Sequence, residues 1–286
     1  MPHDPGAQAE VLIQAMPYIR RYRGKTVVIK YGGAAMVDES MRAGVMQDLV
    51  LLHYVGIQPI LVHGGGPEIN EAMGKFGKVP QFIQGLRVTD AETMEIVEMV
   101  LTGKTNKALV SEIHRQGGQA VGLSGKDGNM LVARKVEGEV DLGFVGEIVK
   151  VNPHVINAQI AAEYIPVISS VAVGDNGESY NVNADHAAGA IAVALKAEKL
   201  ILLTDVPGVL SNKDDPQSLI SVLTIAEAKK MIQNKKVDKG MTPKLDACLT
   251  AVNGGVDRAH ILDGRMPHAI LIEVFTDCGI GTMIRG

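Results

Sequence analysis

An α/β fold, with a mostly parallel sheet covered by helices on both faces, is predicted by three features of this chain. Apolar runs of strand length alternate with helical patterns from Lys25 onward. The run Leu200-Ile-Leu-Leu203 is apolar at every position, as in a strand buried on both sides. Two further runs, Thr26-Val-Val-Ile-Lys-Tyr-Gly-Gly33 and Gln58-Pro-Ile-Leu-Val-His-Gly-Gly-Gly66, end in consecutive glycines. Glycine lets bare backbone N–H groups approach an anion, and open α/β sheets bind ligands beyond the carboxyl ends of their strands.

The elements follow in order. Ala9, Val11, Leu12, Ala15, Met16 and Ile19 recur at helical spacing and predict an amphipathic helix over 8–22. It packs either on its own domain or on another subunit. Strands are expected at 26–30, 58–63, 119–123, 166–171, 200–204 and 259–262. Helices are expected at 38–54, 67–76, 90–102, 104–116, 185–196, 224–233 and 243–252. Residues 130–150, with a Glu137-Gly138-Glu139 turn, predict antiparallel excursions at the sheet edge. The carboxyl ends then carry Lys30 to Gly33, His63 to Gly66, Ser124 to Gly128 and Thr204 to Gly208, a lysine- and glycine-lined cleft suited to an anionic ligand.

Composition narrows the function. The 286 residues are 46% hydrophobic and 21% charged, which excludes a disordered chain. Aromatic residues are 3% with no Trp, which argues against a stacking platform for sugars or single-stranded nucleic acid. The net charge of −4 gives no basic field for nucleic acid. Cys248 and Cys278 are too few for a disulfide framework or a zinc knuckle. No basic and apolar leader opens the chain, and no run nears the roughly 20 apolar residues of a membrane helix, so a soluble, cytoplasmic protein is expected.

Several motifs fail. A phosphate loop of the GxxxxGK[ST] type would need glycine at Ile19 or Glu98 for the two GKT triplets, at Gly24 and Gly103. No GxGxxG follows a strand, and no metal site is expected from the histidine spacing. His63 reads as a histidine capping a strand end rather than as a ligand or acid–base group. Lysines and glycines without a nucleophile remain, an inventory suited to phosphoryl transfer, which asks for charge neutralisation and positioning.

Eight segments in this order carry a resemblance: VIKYGG at 28–33, VHGGGPEIN at 62–70, GLRVTD at 85–90, GLSGKDG at 122–128, NVNAD at 181–185, LLTDVPGV at 202–209, GMTPK at 240–244 and GIGTMI at 279–284. From about Gly24 to its end, the chain resembles the amino acid kinase family. The resemblance implies a three-layer α/β/α sandwich around a mostly parallel open sheet, in two lobes. A helical extension at 1–23 would precede an acceptor-binding lobe at 24–196 and a nucleotide-binding lobe at 197–286. The implied reaction moves the γ-phosphoryl of ATP, with Mg2+ held mainly by phosphates, to the side-chain carboxylate of N-acetyl-L-glutamate, in arginine biosynthesis.

The resemblance also implies roles. Lys30 and Lys244 match the lysines that stabilise the transition state, and Asp185 the aspartate that holds them. Gly65, Gly66, Arg87 and Asn181 would bind the acceptor, while Gly32, Gly33, Thr204, Asp205, Gly208 and Lys213 would border the nucleotide. A guanidinium fork suits a carboxylate clamp. Plainer readings stay open: Arg87 as a surface ion pair, Asn181 and Asp185 as helix caps, Lys244 as a solvated residue. The N-terminal helix resembles extensions that interlace dimers into hexamers inhibited by L-arginine, with Tyr18, His268, Glu273 and Gly279 as candidate contacts. A glutamate 5-kinase-like enzyme, or a catalytically silent amino-acid sensor on the same fold, are the alternatives.

Overall fold

The computed structural model describes residues 5–36, 38–212, 214–215 and 217–286. The chain opens with α1 (Pro5–Tyr22), β1 (Thr26–Tyr31), α2 (Glu39–Tyr54), β2 (Gln58–His63) and α3 (Gly66–Lys75). A short hairpin, β3 (Phe82–Ile83) and β4 (Leu86–Arg87), leads to α4 (Ala91–Glu98), a π-helical segment (Met99–Thr105), α5 (Asn106–Arg115) and β5 (Ala120–Ser124). Next come β6 (Leu131–Lys135), β7 (Val145–Val151), α6 (His154–Ala161), β8 (Ile165–Ser169), β9 (Val171–Val173), β10 (Ser179–Val182) and α7 (Ala184–Ala194). The chain closes with β11 (Lys199–Thr204), β12 (Val222–Thr224), α8 (Ile225–Gln233), α9 (Met241–Asn253), β13 (Arg258–Asp263), α10 (Ala269–Phe275) and β14 (Thr282–Arg285).

Eight strands form one sheet in the order β12-β14-β13-β11-β1-β2-β8-β5. Neighbours are parallel except β13 and β14. From β1 the chain builds outward through β2 on one side and later through β11 on the other, so the β1/β11 border is the topological switch point where such sheets bind ligands.

Alternation along each strand feeds two cores. Val28, Ile60, Val62, Leu200 and Leu202 pack beneath α7 and α9, against Ala187, Ile191, Leu245 and Cys248. Val27, Ile29, Leu61, Ile201 and Leu203 face the opposite layer of α2, α5 and α10. Helix, sheet and helix thus make the expected three layers, and each fully buried aliphatic contributes about 1.5–3 kcal/mol. Helices α7 and α9 touch closely because Gly189 carries no Cβ, which would stand 2.9 Å from Ala247 O. That contact brings the amino ends of both helices over the centre of the sheet.

Local signals set most boundaries. Asp38 caps α2 by accepting from Met41 N at 2.9 Å, and Asp90 caps α4 by accepting from Thr93 N at 2.8 Å. The two helices expected at 90–102 and 104–116 are instead joined through the π-helical segment, because Asn106 N–H donates to Leu101 O. Residues 130–150 do form an antiparallel pair, β6 and β7, but not at the sheet edge. They close with β9 and β10 into a small four-stranded barrel whose Leu131, Ala133, Tyr180 and Val182 share the core with α7. Among the described residues no helix is long and apolar enough to cross a membrane.

Candidate active site

Period-two alternation turns Lys30 to the same side as Val28, toward α7 and α9. There Lys30 Nζ lies 2.9 Å from Asp185 Oδ1, and Lys244 Nζ lies 2.9 Å from Asp185 Oδ2. Lys30 and Asp185 are only 7% and 4% exposed, so screening by water is weak. Asp185 does not cap α7. Asn183 does, accepting from Asp185 N at 2.8 Å and His186 N at 3.2 Å, which leaves the Asp185 carboxylate to the lysines.

Burial works to raise the Asp185 pKa, yet the two ammonium groups hold it at about 2. Burial pushes the Lys30 pKa down and Lys244 adds to that, while Asp185 pulls it up. Two ammonium groups on one carboxylate leave one net positive charge, a site that an anion completes. Gly32 lies against it, and a Cβ there would stand 2.9 Å from Lys30 Nζ and push the ammonium from its place.

The second glycine turn is stitched to the first by Gly64 N, which donates to Tyr31 O at 3.2 Å. Gly65 packs so tightly on the π-helical segment that a Cβ would lie 2.7 Å from Leu101 Cδ2. Gly65, Gly66, Arg87 and Asn181 line one cavity of about 170 Å³, together with Phe82 and Asn183. The Arg87 guanidinium stacks 4.7 Å from the Phe82 ring centroid, and its Nη2 donates to Asn70 Oδ1 at 2.6 Å and Gly66 O at 3.3 Å. Among the described residues no carboxylate pairs with it, and burial lowers its pKa. Asn181 Nδ2 donates to Thr89 Oγ1 at 3.2 Å, and Thr89 Oγ1 donates to Arg87 O at 2.8 Å, which ties the two cavity residues together.

On the other side of Lys30, Thr204 ends β11 and its hydroxyl donates to Asp205 Oδ1 at 3.3 Å. Gly208 lines a cavity of about 100 Å³ with Val209, Lys236, Asp238 and Met241. Gly33 opens a short 3-10 turn directly after Gly32. Lys213 lies outside the described residues. The Ser124 turn is not part of this cluster: β8 separates β5 from β2, and Lys126 is engaged by Glu98 at 2.8 Å and Ser179 at 2.7 Å.

Residues 25–263 match the amino acid kinase family. The chain belongs to that family. It is 56% identical over 289 residues to the acetylglutamate kinase of Moorella thermoacetica, with 98% of each chain covered. The fold also matches N-acetylglutamate synthase from Neisseria gonorrhoeae complexed with coenzyme A and N-acetyl-glutamate, at TM-score 0.85 and 28% identity over 97% of this chain. The same synthase complexed with coenzyme A and L-arginine matches at TM-score 0.81 and 27% identity. This chain spans 63% and 65% of the length of those two synthase chains.

A second cavity, of about 360 Å³, lies behind the sheet beside α1. Tyr18, Glu273 and Gly279 line it together, but His268 does not. His268 turns toward α2, where its Nδ1 lies 2.6 Å from Asp48 Oδ1. The histidine of this cavity is His260, with Nδ1 3.0 Å from Glu273 Oε1, and Lys199 Nζ lies 3.2 Å from the same oxygen. Neither Lys199 nor His260 is among the residues read from the sequence. His260 interrupts the apolar run of its strand and Lys199 directly precedes the run from Leu200, each at a position facing the α10 layer, which is the signal that could have found them. Asn70 and Thr89, the partners of Arg87 and Asn181, left no such signal.

Proposed function

We propose that this chain moves the γ-phosphoryl group of ATP to the side-chain carboxylate of N-acetyl-L-glutamate, giving N-acetyl-L-glutamyl 5-phosphate in arginine biosynthesis. The observation that carries this reading is the Lys30–Asp185–Lys244 triplet, with one net positive charge between two glycine turns. An acceptor carboxylate oxygen attacks the γ-phosphorus while the bond to the bridging oxygen breaks. ADP leaves with that electron pair, and no proton need move. Such a step needs charge neutralisation and in-line alignment.

Lys30 and Lys244 supply the charge, and Asp185 fixes their positions. Amides of Gly32, Gly33 and Gly65 would hold the equatorial oxygens, and Gly65 and Gly66 would seat the acceptor. Arg87, buried without a carboxylate partner among the described residues, would clamp the acceptor's α-carboxylate, with Asn181 hydrogen-bonding the same molecule. Thr204, Asp205, Gly208 and Lys213 would border the nucleotide. We divide the chain accordingly, into an extension at 1–23, an acceptor lobe at 24–196 and a nucleotide lobe at 197–286.

The donors around Lys30 are ammonium and amide groups, which suit phosphate oxygens. Magnesium would therefore arrive on the nucleotide, held mainly by its phosphates, and would neutralise their β- and γ-oxygens. Among the described residues no group of three or more His, Cys, Asp or Glu side chains is placed to hold an ion.

The second cavity supports a second ligand, L-arginine as inhibitor. Glu273 is already engaged by Lys199 and His260, but the exposed Asp277 also lines it, and a carboxylate complements a guanidinium. Helix α1 beside it leaves Val11, Leu12, Ile13 and Met16 between 50% and 71% exposed, as a helix that docks on a neighbouring dimer would. The assembly we propose is a hexamer built from dimers.

The test of the transfer is ATP consumption with N-acetyl-L-glutamate set against glutamate, aspartate and UMP. Turnover that requires N-acetyl-L-glutamate supports the assignment. Faster turnover with glutamate moves the chain to a glutamate 5-kinase-like role, and binding without turnover makes it a sensor.

A further inference from the structure

His63 ends β2 directly before the glycine turn, and no part of the proposed transfer uses it. It is completely buried. Its Nδ1 lies 2.9 Å from Gly64 O, and its Nε2 lies 3.0 Å from Asn106 Nδ2. Asn106 stands where the π-helical segment meets α5, with Nδ2 also 2.9 Å from Val167 O and 3.3 Å from Leu123 O.

Two carbonyl oxygens can only accept, so they fix which end of the Asn106 amide faces them. With that NH2 also facing His63 Nε2, the ring nitrogen there must accept, and the proton must sit on Nδ1. Nδ1–H then donates to Gly64 O. The imidazole is held neutral: burial lowers its pKa to about 4, with Lys107 adding to the shift and Gly64 O opposing it.

Both polar groups of Gly64 are now tied down, its N–H to Tyr31 O and its C=O to His63. In a trans peptide the C=O and the next N–H point in opposite directions. Holding Gly64 C=O toward the buried ring therefore aims Gly65 N–H the other way. Gly65 N–H makes no hydrogen bond among the described residues, and Gly65 lines the acceptor cavity.

We infer that His63 is a positioning residue, a neutral imidazole held by Asn106 that sets the direction of the Gly65 N–H toward the transferred phosphoryl group. The inference rests on the phosphoryl-transfer reading above. The π-helical segment serves the same end, because it places Leu101 against Gly65 and Asn106 at the Nε2 edge of the ring. Gly122 shows how closely Asn106 is fitted, since any Cβ there would overlap Asn106 Oδ1.

The test compares His63→Leu with His63→Asn in the full chain. Asn keeps an N–H donor close to the position of Nδ1, and Leu keeps none. His63→Leu should lower kcat roughly 10- to 100-fold with KM for ATP little changed, the cost expected of one misaimed donor. His63→Asn should recover most of that loss at similar thermal stability. Equal kcat losses in both variants, or a His63→Leu kcat within twofold of wild type, overturn the inference while leaving the kinase reading intact. A wild type that does not turn over N-acetyl-L-glutamate refutes the kinase reading instead. Imidazole nitrogen NMR then still decides the clamp: protonated Nδ1 with bare Nε2 between pH 6 and 8 is expected, and a protonated Nε2 overturns it.

Discussion

Lys244 Nζ lies 2.9 Å from Asp185 Oδ2, while the other oxygen of the same carboxylate meets Lys30. A strand, a helix start and a second helix start thus converge on one buried group. Removing Asp185 leaves two ammonium groups facing each other. Asp185→Asn should lower kcat by roughly 10²- to 10³-fold, as loss of preorganised charge does. Lys30→Ala should fall in the same range. Steady-state kinetics with both substrates saturating measures it, and a kcat near wild type for either variant would remove the triplet from the chemistry.

The same carboxylate predicts an acid limb of stability. Its folded pKa, about 2, lies below the ordinary 3.8. A group with a depressed folded pKa stabilises the fold fully above its unfolded value and loses that contribution as pH falls through the folded one. The window is therefore from pH 3.8 down to about 2. The contribution is on the order of 2 kcal/mol. Urea denaturation of wild type and Asp185→Asn should show a stability gap at pH 6 that narrows across this window.

Arg87 makes a different kind of prediction. Its guanidinium is supported by Asn70, Gly66 O and the Phe82 ring, so Arg87→Lys removes the fork while keeping a charge. KM for N-acetyl-L-glutamate should rise roughly 10- to 100-fold, about 1.5–3 kcal/mol of charged hydrogen bonding, with KM for ATP nearly constant. Equal increases in both KM values would place Arg87 outside the acceptor cavity's function.

Gly65→Ala tests the close fit of the turn. Its Cβ would meet Leu101 Cδ2 at 2.7 Å, so the buried Leu101 side chain must shift. A stability loss of about 1–3 kcal/mol is expected from such overpacking, read as a lower Tm. Gly66→Ala meets nothing within 4 Å and should leave Tm nearly unchanged.

Deleting residues 1–22 removes Tyr18, Arg21 and Tyr22 from the second cavity and the exposed apolar face of α1 from any neighbour. The proposed arginine inhibition should disappear and the proposed hexamer should fall to dimers, with kcat retained. Inhibition curves and light scattering check both. An unaltered arginine response would sink the regulatory reading.

Much of this site is legible in the chain itself. Continuous apolar runs give buried parallel strands, and the residues at their carboxyl ends, Lys30 to Gly33 and His63 to Gly66, mark the ligand edge without any coordinates. Asp38 and Asp90 announce their helices because a capping side chain acts within three residues. Lys244 and Asp185 are different: nothing local separates a catalytic lysine from a solvated one, and only the resemblance pointed to them.

What the tertiary structure alone decided depends on contacts between distant segments. Asn183 rather than Asp185 caps α7, which frees the carboxylate for Lys30 and Lys244. His260 rather than His268 enters the second cavity, because strand alternation sends it to the Glu273 layer while His268 turns to Asp48. The join of α4 to α5 and the barrel of β6, β7, β9 and β10 likewise arise from packing that no single stretch encodes. The sequence by itself determined the layers and the glycine-bearing edge, since periodicity and backbone freedom are local properties. Which side chains meet across that edge was set by the close approach of α7 to α9 and of Asn106 to three strands, a matter of long-range shape.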